Sequence, residues 1–192
     1  MLQLNALHQW GRNNSFLLEE SIWKKEARTG GSEHDVWERG NQMWKITRPD
    51  RFGWTVLPGD NGLPEVAEAT PLEYLVRWHI SNRMFGDTVR LMGIYCSDEG
   101  TQVVVSQRFL AGIYPNSFQI REELVNFGFS PVRTFSVGAY GDSTFFNPDL
   151  GIALFDAARD NFIMLNGIPV PVDLLPVKAG PKLRAQLLKL MD

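Results

Sequence analysis

Three side chains toward the C-terminal end have the types and spacing to do chemistry. Asp156 closes the apolar run 152–155, Asn161 precedes the run 162–165, and Asp173 follows the run 168–172. The last two runs are joined by Asn166-Gly167, a strong hairpin signal, because both residues tolerate the positive φ of a type I′ turn. A hairpin there brings the three polar groups together. Carboxylate and amide oxygens suit a hard cation, and a carboxylate can take up a proton. Asp and Asn are also ordinary turn residues, and an Asp ending a strand is commonly a capped turn. The spacing alone leaves both readings standing.

Lys45 lies in the hydrophobic run Met43-Trp44-Lys45-Ile46. A lysine there either snorkels at a sheet edge or points inward to pair with an anion. Glu73 completes Thr70-Pro71-Leu72-Glu73, a capping box with proline in the first turn. Its rival job is to pair with Lys45, with Glu65 and Glu68 as competitors. Gly30-Gly31-Ser32 is either a turn or a loop whose backbone amides approach a phosphate; the G-x-x-x-x-G-K-[ST] pattern of a P-loop is absent. His34 starts a strand, where a local hydrogen bond competes with a ligand contact. His8, His34 and His79 have no metal-ligand spacing, and His79 reads as structural. The single cysteine, Cys96, excludes a disulfide framework and a cysteine metal site, and is expected to be a small buried hydrophobe.

The elements that must position these residues follow from periodicity and punctuation. Residues 1–28 read as helical, with Leu17, Leu18, Ile22 and Trp23 at helical spacing and Asn13-Asn14-Ser15 as an N-cap. A hairpin turns at Gly40-Asn41, and 49–69 reads as a loop rich in Gly, Pro and Asp. The helix after Thr70 carries the stripe Leu72, Leu75, Val76, Ile80 and Met84. Residues 88–95 and 101–105 pair as strands, after which 106–112 leaves the sheet. A helix opens at Asn116, boxed by Gln119, packs Phe118, Ile120, Leu124 and Phe127, and ends at Gly128. Residues 132–140 and 143–146 read as a hairpin around Gly141-Asp142, 176–181 as a connector, and 182–191 as a short amphipathic helix.

A chain of 192 residues with 44% apolar content fits one domain, or one domain in two small lobes. A net charge of −3 implies no polyanion-binding surface, so nucleic acid is not the expected partner. No stretch approaches the roughly 18 apolar residues of a membrane span, and no signal peptide is evident. No membrane association and a cytoplasmic location are expected.

Several stretches carry a resemblance to a known family. They are Gly30-Gly31-Ser32-Glu33-His34-Asp35-Val36-Trp37, Trp44-Lys45, Glu73-Tyr74-Leu75-Val76-Arg77-Trp78, Asn82-Arg83-Met84-Phe85-Gly86-Asp87, Ser106-Gln107 and Asp156-x-x-x-x-Asn161. Together they resemble the small serine/threonine/tyrosine kinase-like domain of polyvalent proteins in phages and other mobile elements. The resemblance covers residues 30–173. D-x-x-x-x-N has the spacing of the kinase catalytic loop H-R-D-x-x-x-x-N, and Asp173-Leu174-Leu175 stands where D-F-G would be.

This resemblance implies an α+β, minimal protein kinase-like fold: an antiparallel N-lobe sheet with an αC-like helix and a reduced C-lobe. The single domain 1–192 then divides into a helical extension (1–28), an N-lobe-like part (29–108) and a C-lobe-like part (109–192). The implied activity is ATP- and Mg²⁺-dependent phosphoryl transfer to a protein hydroxyl, or autophosphorylation. Lys45 would hold the α/β-phosphates, Glu73 would orient Lys45, and Asp156 would accept or position the hydroxyl proton. Asn161 and Asp173 would hold Mg²⁺, backbone amides at Gly30, Gly31 and Ser32 would cover the phosphates, and adenine would lie against Ser106, Gln107 and Phe109. The implied partners are ATP and a protein substrate.

The chain departs from the kinase pattern at several points. Leu154 and Phe155 replace the His and Arg before the catalytic Asp, which implies no docking of a phosphorylated activation loop. Leu174-Leu175 replaces Phe-Gly, and neither A-P-E nor a helical lobe for a protein substrate follows. Three readings therefore stand: a minimal kinase, with a small-molecule kinase as its variant; a pseudokinase-like interaction module; and an unrelated α+β domain in which Lys45, Asp156 and Asn161 are incidental.

Overall fold

Short β-branched and aromatic runs, punctuated by Gly, Asn and Pro, alternate with capped amphipathic stretches, and they fold as a mixed α+β chain with antiparallel sheets. The structure is a computed structural model and describes residues 2–19, 28–30, 33–137 and 143–191. Helix α1 (Leu2–Asn13) is followed by β1 (Arg28–Gly30), β2 (His34–Arg39), β3 (Gln42–Thr47), β4 (Trp54–Pro58), β5 (Pro64–Glu68) and α2 (Pro71–Phe85). Then come β6 (Arg90–Ser97), β7 (Gly100–Arg108), α3 (Ser117–Asn126), β8 (Ser130–Pro131), β9 (Phe145–Asn147) and β10 (Ile152–Phe155). The chain ends in β11 (Phe162–Leu165), β12 (Ile168–Pro171), β13 (Leu175–Lys178) and α4 (Pro181–Lys189). These elements form two compact units, one of residues 1–54 and 68–109, the other of 55–67 and 110–192. Among the described residues no helix is long and apolar enough to cross a membrane.

The first unit is built on a five-stranded antiparallel sheet in the order β1-β2-β3-β7-β6. Side chains alternate across a strand, so Val103 and Val105 of β7 join Leu7 of α1, Tyr74 and Trp78 of α2, and Ile94 of β6 on one face. Val104 packs on the other face with Trp37 and Ile46. Helix α2 opens with the expected capping box, Thr70 with Glu73, and ends at Gly86 in the left-handed region. Its buried face differs from the expected stripe. Tyr74, Arg77, Trp78, Ile80 and Ser81 are buried, whereas Leu72 and Val76 are exposed. The reason is that Arg77 enters the interior with a carboxylate partner, Glu33, at 2.8 Å.

Three further expectations for this unit are corrected. Asn13-Asn14-Ser15 ends a helix rather than starting one: Ser15 adopts φ 58°, and Phe16 N–H donates back to Gly11 C=O. The following segment is extended, with Leu18 N–H donating to Ile94 C=O and Ile94 N–H to Phe16 C=O. Ile22 and Trp23, named for the same helix, lie outside the described residues. Strand β7 continues to Arg108, which keeps Ser106 and Gln107 inside the sheet opposite Trp44 and Met43. Cys96, expected to be buried, is exposed near the end of β6.

The second unit holds a four-stranded antiparallel sheet, β13-β10-β9-β8, and the pair β11-β12. Phe146, Ala153, Phe155 and Leu175 of the sheet pack against Leu183 and Leu187 of α4, with Val56 of β4 in the same core. Gln186 Nε2 donates to Gly59 C=O (2.7 Å), which fixes α4 on the β4–β5 connection. The expected loop 49–69 thus contains the paired strands β4 and β5. The expected connector 176–181 contains most of β13, paired to β10 with Pro176 opposite Leu154. Proline is tolerated there because β13 is an edge strand. Helix α3 has its Asn116–Gln119 capping box, but of the four packing residues only Ile120 and Leu124 are buried; Phe118 and Phe127 are exposed. The hairpin expected over 132–146 pairs at its outer ends, Ser130 opposite Phe146, while Gly141-Asp142 lies outside the described residues.

Candidate functional site

In the second unit two ladders meet end to end. Strand β10 pairs with β13 as far as Phe155 opposite Leu175, and β11 pairs with β12 from Phe162 opposite Pro171. The chain between the ladders runs through 156–161 on one side and 172–174 on the other. Asp156, Asn161 and Asp173 all fall on these two connections. The far end of β11-β12 closes through Asn166 (φ 52°) and Gly167 (φ 83°), the expected type I′ turn.

Local geometry holds the connection in one form. Asp156 adopts φ 53°, a conformation that costs a non-glycine residue on the order of 1 kcal/mol and persists only where surrounding structure holds it. Ala157 N–H donates to Ser143 C=O (2.9 Å) on one side of the joint, and Val172 N–H donates to Asn161 C=O (2.9 Å) on the other. Within a single 3₁₀ turn, Arg159–Asn161, the Asn161 side chain turns back and donates Nδ2 to the Asp156 carbonyl at 2.7 Å. An amide whose nitrogen donates presents its oxygen as an acceptor. Among the described residues no donor reaches Asn161 Oδ1.

An amide oxygen and carboxylates are donors of the kind that Mg²⁺ takes. Among the described residues no three His, Cys, Asp or Glu side chains gather into a metal cage. Mg²⁺ commonly takes one or two carboxylates and leaves its remaining positions to phosphate oxygens and water. The departures from the kinase pattern also find a physical reason here. Leu154 and Phe155 are fully buried and Leu174 and Leu175 nearly so, and Phe155 and Leu175 belong to the core beneath the joint.

In the first unit Lys45 sits in β3 opposite Val105 and so shares the face covered by α2. It is buried, its ammonium 4.9 Å from the centre of the Trp78 ring, a cation–π contact. The inward alternative is the observed one. Glu73 is taken up by its cap, where its Oε2 accepts from Thr70 N–H (2.8 Å) and from Thr70 Oγ1 (2.7 Å). Among the described residues no ion pair joins Glu73 to Lys45. One carboxylate that the Lys45 charge acts on is Asp87, which follows the C-cap of α2. Gln107 Nε2 donates to both Asp87 oxygens (2.9 and 3.0 Å), and Ser81 Oγ donates to one at 3.1 Å. Burial raises the Asp87 pKa, opposed by these hydrogen bonds, by the Thr88 N–H and by the Lys45 charge.

The remaining expected positions are distributed as follows. Gly30 ends β1 opposite His34, while Gly31 and Ser32 lie outside the described residues. Ser106 and Gln107 are buried in β7, and Phe109 N–H donates to Asn41 C=O. Alternation along an antiparallel ladder then directs the Arg108 backbone groups away from β3, toward the side where β6 has ended at Arg90 opposite Ser106. His34 is buried as a structural residue, but its bond is long-range rather than local: Nε2 meets the hydroxyl of Tyr74, on α2, at 3.0 Å. Glu33, its neighbour, accepts from Arg77 (2.8 Å) and from Trp54 N–H (3.0 Å), tying α2 to the start of β2. Sequence reasoning gave no role to Asp87, which it names only as the end of the stretch 82–87, or to Arg108. A short polar residue just past the αL glycine of a helix gives no local sign of its partners.

One family model, that of the serine/threonine/tyrosine kinases found in polyvalent proteins, matches residues 2–175. No curated protein and no solved structure matches. The matched span contains Lys45, Asp87, Asp156, Asn161 and Asp173, the polar residues that the two units hold in place. The chain belongs to the family of serine/threonine/tyrosine kinases found in polyvalent proteins.

Proposed function

We propose that the chain transfers the γ-phosphoryl group of Mg-ATP to a hydroxyl of a protein, its own chain included. The observation that carries the reading is the Asn161–Asp156 bond, in which the Asn161 amide donates its nitrogen to the Asp156 carbonyl and so leaves its oxygen as an acceptor. Asn161 Oδ1 and Asp173 would hold Mg²⁺, whose charge offsets that of the phosphates. Asp156 would accept the hydroxyl proton as the acceptor oxygen bonds to the γ-phosphorus and the bond to the β-phosphate oxygen breaks, releasing ADP. Lys45 would take the α/β-phosphates, its ammonium balanced by Asp87 while Glu73 fixes the start of α2. The backbone at Gly30–Ser32 would cover the phosphates. Adenine would meet the backbone of 106–109, chiefly at Arg108, because the Gln107 side chain is taken up by Asp87. Phosphoryl transfer asks mainly for positioning and charge neutralisation, which these groups supply.

Incubation with ATP labelled at the γ-phosphate, with and without Mg²⁺, tests the reading. Label should appear on protein only with Mg²⁺, and Asp156→Asn should slow it by about 10²–10⁴-fold, the usual contribution of a positioned general base. Nucleotide binding without any transfer would leave the interaction-module reading instead, which the loss of the H-R-D lead-in to the core favours.

A further inference from the structure

The second unit contains a cleft of about 710 Å³ whose wall includes Arg121, Arg133 and Arg159 and which, among the described residues, is lined by no carboxylate. Arg121 comes from the first turns of α3, Arg133 from the segment after β8, and Arg159 from the 3₁₀ turn that also carries Asn161. Ala157 and Ala158, which directly follow Asp156, form part of the same wall. In a chain of net charge −3, three guanidinium groups around one hollow stand out from the average surface. Among the described residues none of the three forms an ion pair. Arg159 is held at its Nε by the Pro115 carbonyl (2.9 Å). The N-terminal end of α3 adds the positive end of a helix dipole.

Beside the cations lies an exposed apolar strip. Phe118, in the cleft wall, is 66% exposed, and Ile113 and Tyr114, on the segment to which Arg159 is bonded, are 75% and 57% exposed. Cations that can bind carboxylate or phosphate in bidentate fashion, next to apolar side chains, suit a polypeptide with anionic side chains. The cleft volume is within the range of ligand pockets. Resting on the phosphotransfer reading above, we propose that this cleft selects the acceptor: it binds a carboxylate or phosphate on the acceptor polypeptide and so holds the neighbouring hydroxyl at Asp156.

The test uses fluorescently labelled peptides of one length, each with a single serine flanked by Glu, by Gln or by phosphoserine. Anisotropy is read on the full chain without nucleotide. The Glu or the phosphoserine peptide should bind at least about tenfold tighter than the Gln peptide, as charge-assisted hydrogen bonds imply. Binding should weaken with salt. In Arg121→Gln/Arg133→Gln that preference should disappear, while the melting temperature without ligand stays near wild type because both side chains are exposed. The Glu and phosphoserine arms tell which anion is read. Equal binding of all three peptides, or an anionic preference that survives the double substitution, overturns the proposal. A Mg-ATP melting shift, measured on the same samples, fails independently if the phosphotransfer reading is at fault.

Discussion

Asn161 donates its side-chain nitrogen to the Asp156 carbonyl, and that one bond decides which of its atoms can meet a metal. The proposed role was open to sequence reasoning because Asp, Asn and Asp mark the ends of apolar runs. Asp87 was not legible, since its partners Lys45, Ser81 and Gln107 come from two strands and a helix. Burial holds the Asp87 carboxyl above 3.8, the ordinary value for an aspartate. The folded chain therefore binds this proton more tightly than the unfolded chain does. The stability this adds is present below 3.8 and is lost as pH rises through the folded value. Urea unfolding of wild type and Asp87→Asn across the acid range should show the difference moving in favour of the variant as pH rises. A difference independent of pH would contradict this account. Glu33 gives a second prediction. Glu33→Ala removes the carboxylate 2.8 Å from the buried Arg77 and should cost up to roughly 3–5 kcal/mol, a fall in melting temperature of up to about 6–20 °C. Glu33→Gln, which can still accept from Arg77 and Trp54 N–H, should lose clearly less.

At the scale of elements, the legible parts were those with local chemistry: both capping boxes, the Asn166-Gly167 turn and the hairpin at Gly40-Asn41. The misread parts share a cause, residue types that serve two structures. Asn and Ser cap helix starts but also tolerate the left-handed conformation that ends helices, which Ser15 adopts after α1. Pro176 argues against a strand unless the strand lies at an edge, as β13 does. The extended segment after α1 also depends on a distant glycine. A Cβ at Gly93 would lie 2.6 Å from the Phe16 carbonyl oxygen and 2.5 Å from Leu18 Cγ. Gly93→Ala should therefore push this segment off β6 and cost about 1–3 kcal/mol. Hydrogen exchange would show it as lost protection at the Leu18 amide, which is bonded to Ile94 C=O. Unchanged protection there would refute the close approach.

For the whole molecule, the kinase resemblance read from scattered short stretches matches the family whose model spans 2–175. The division into units was less legible, because residues 55–67 group with 110–192 through long-range packing of Val56 with α4. The central proposal is that this chain binds Mg-ATP and that Lys45, Asn161 and Asp173 contribute to the binding. Thermal unfolding with Mg-ATP, with ATP in a chelator and without nucleotide tests it most directly, on wild type, Lys45→Met and Asp173→Asn. Nucleotide at about a hundred times its Kd stabilises a native state by roughly 2.7 kcal/mol, on the order of 5–10 °C for a chain of this size. The account predicts a shift of that size for wild type with Mg-ATP, and its loss in the chelator and in both variants. No shift for wild type at millimolar Mg-ATP would contradict it.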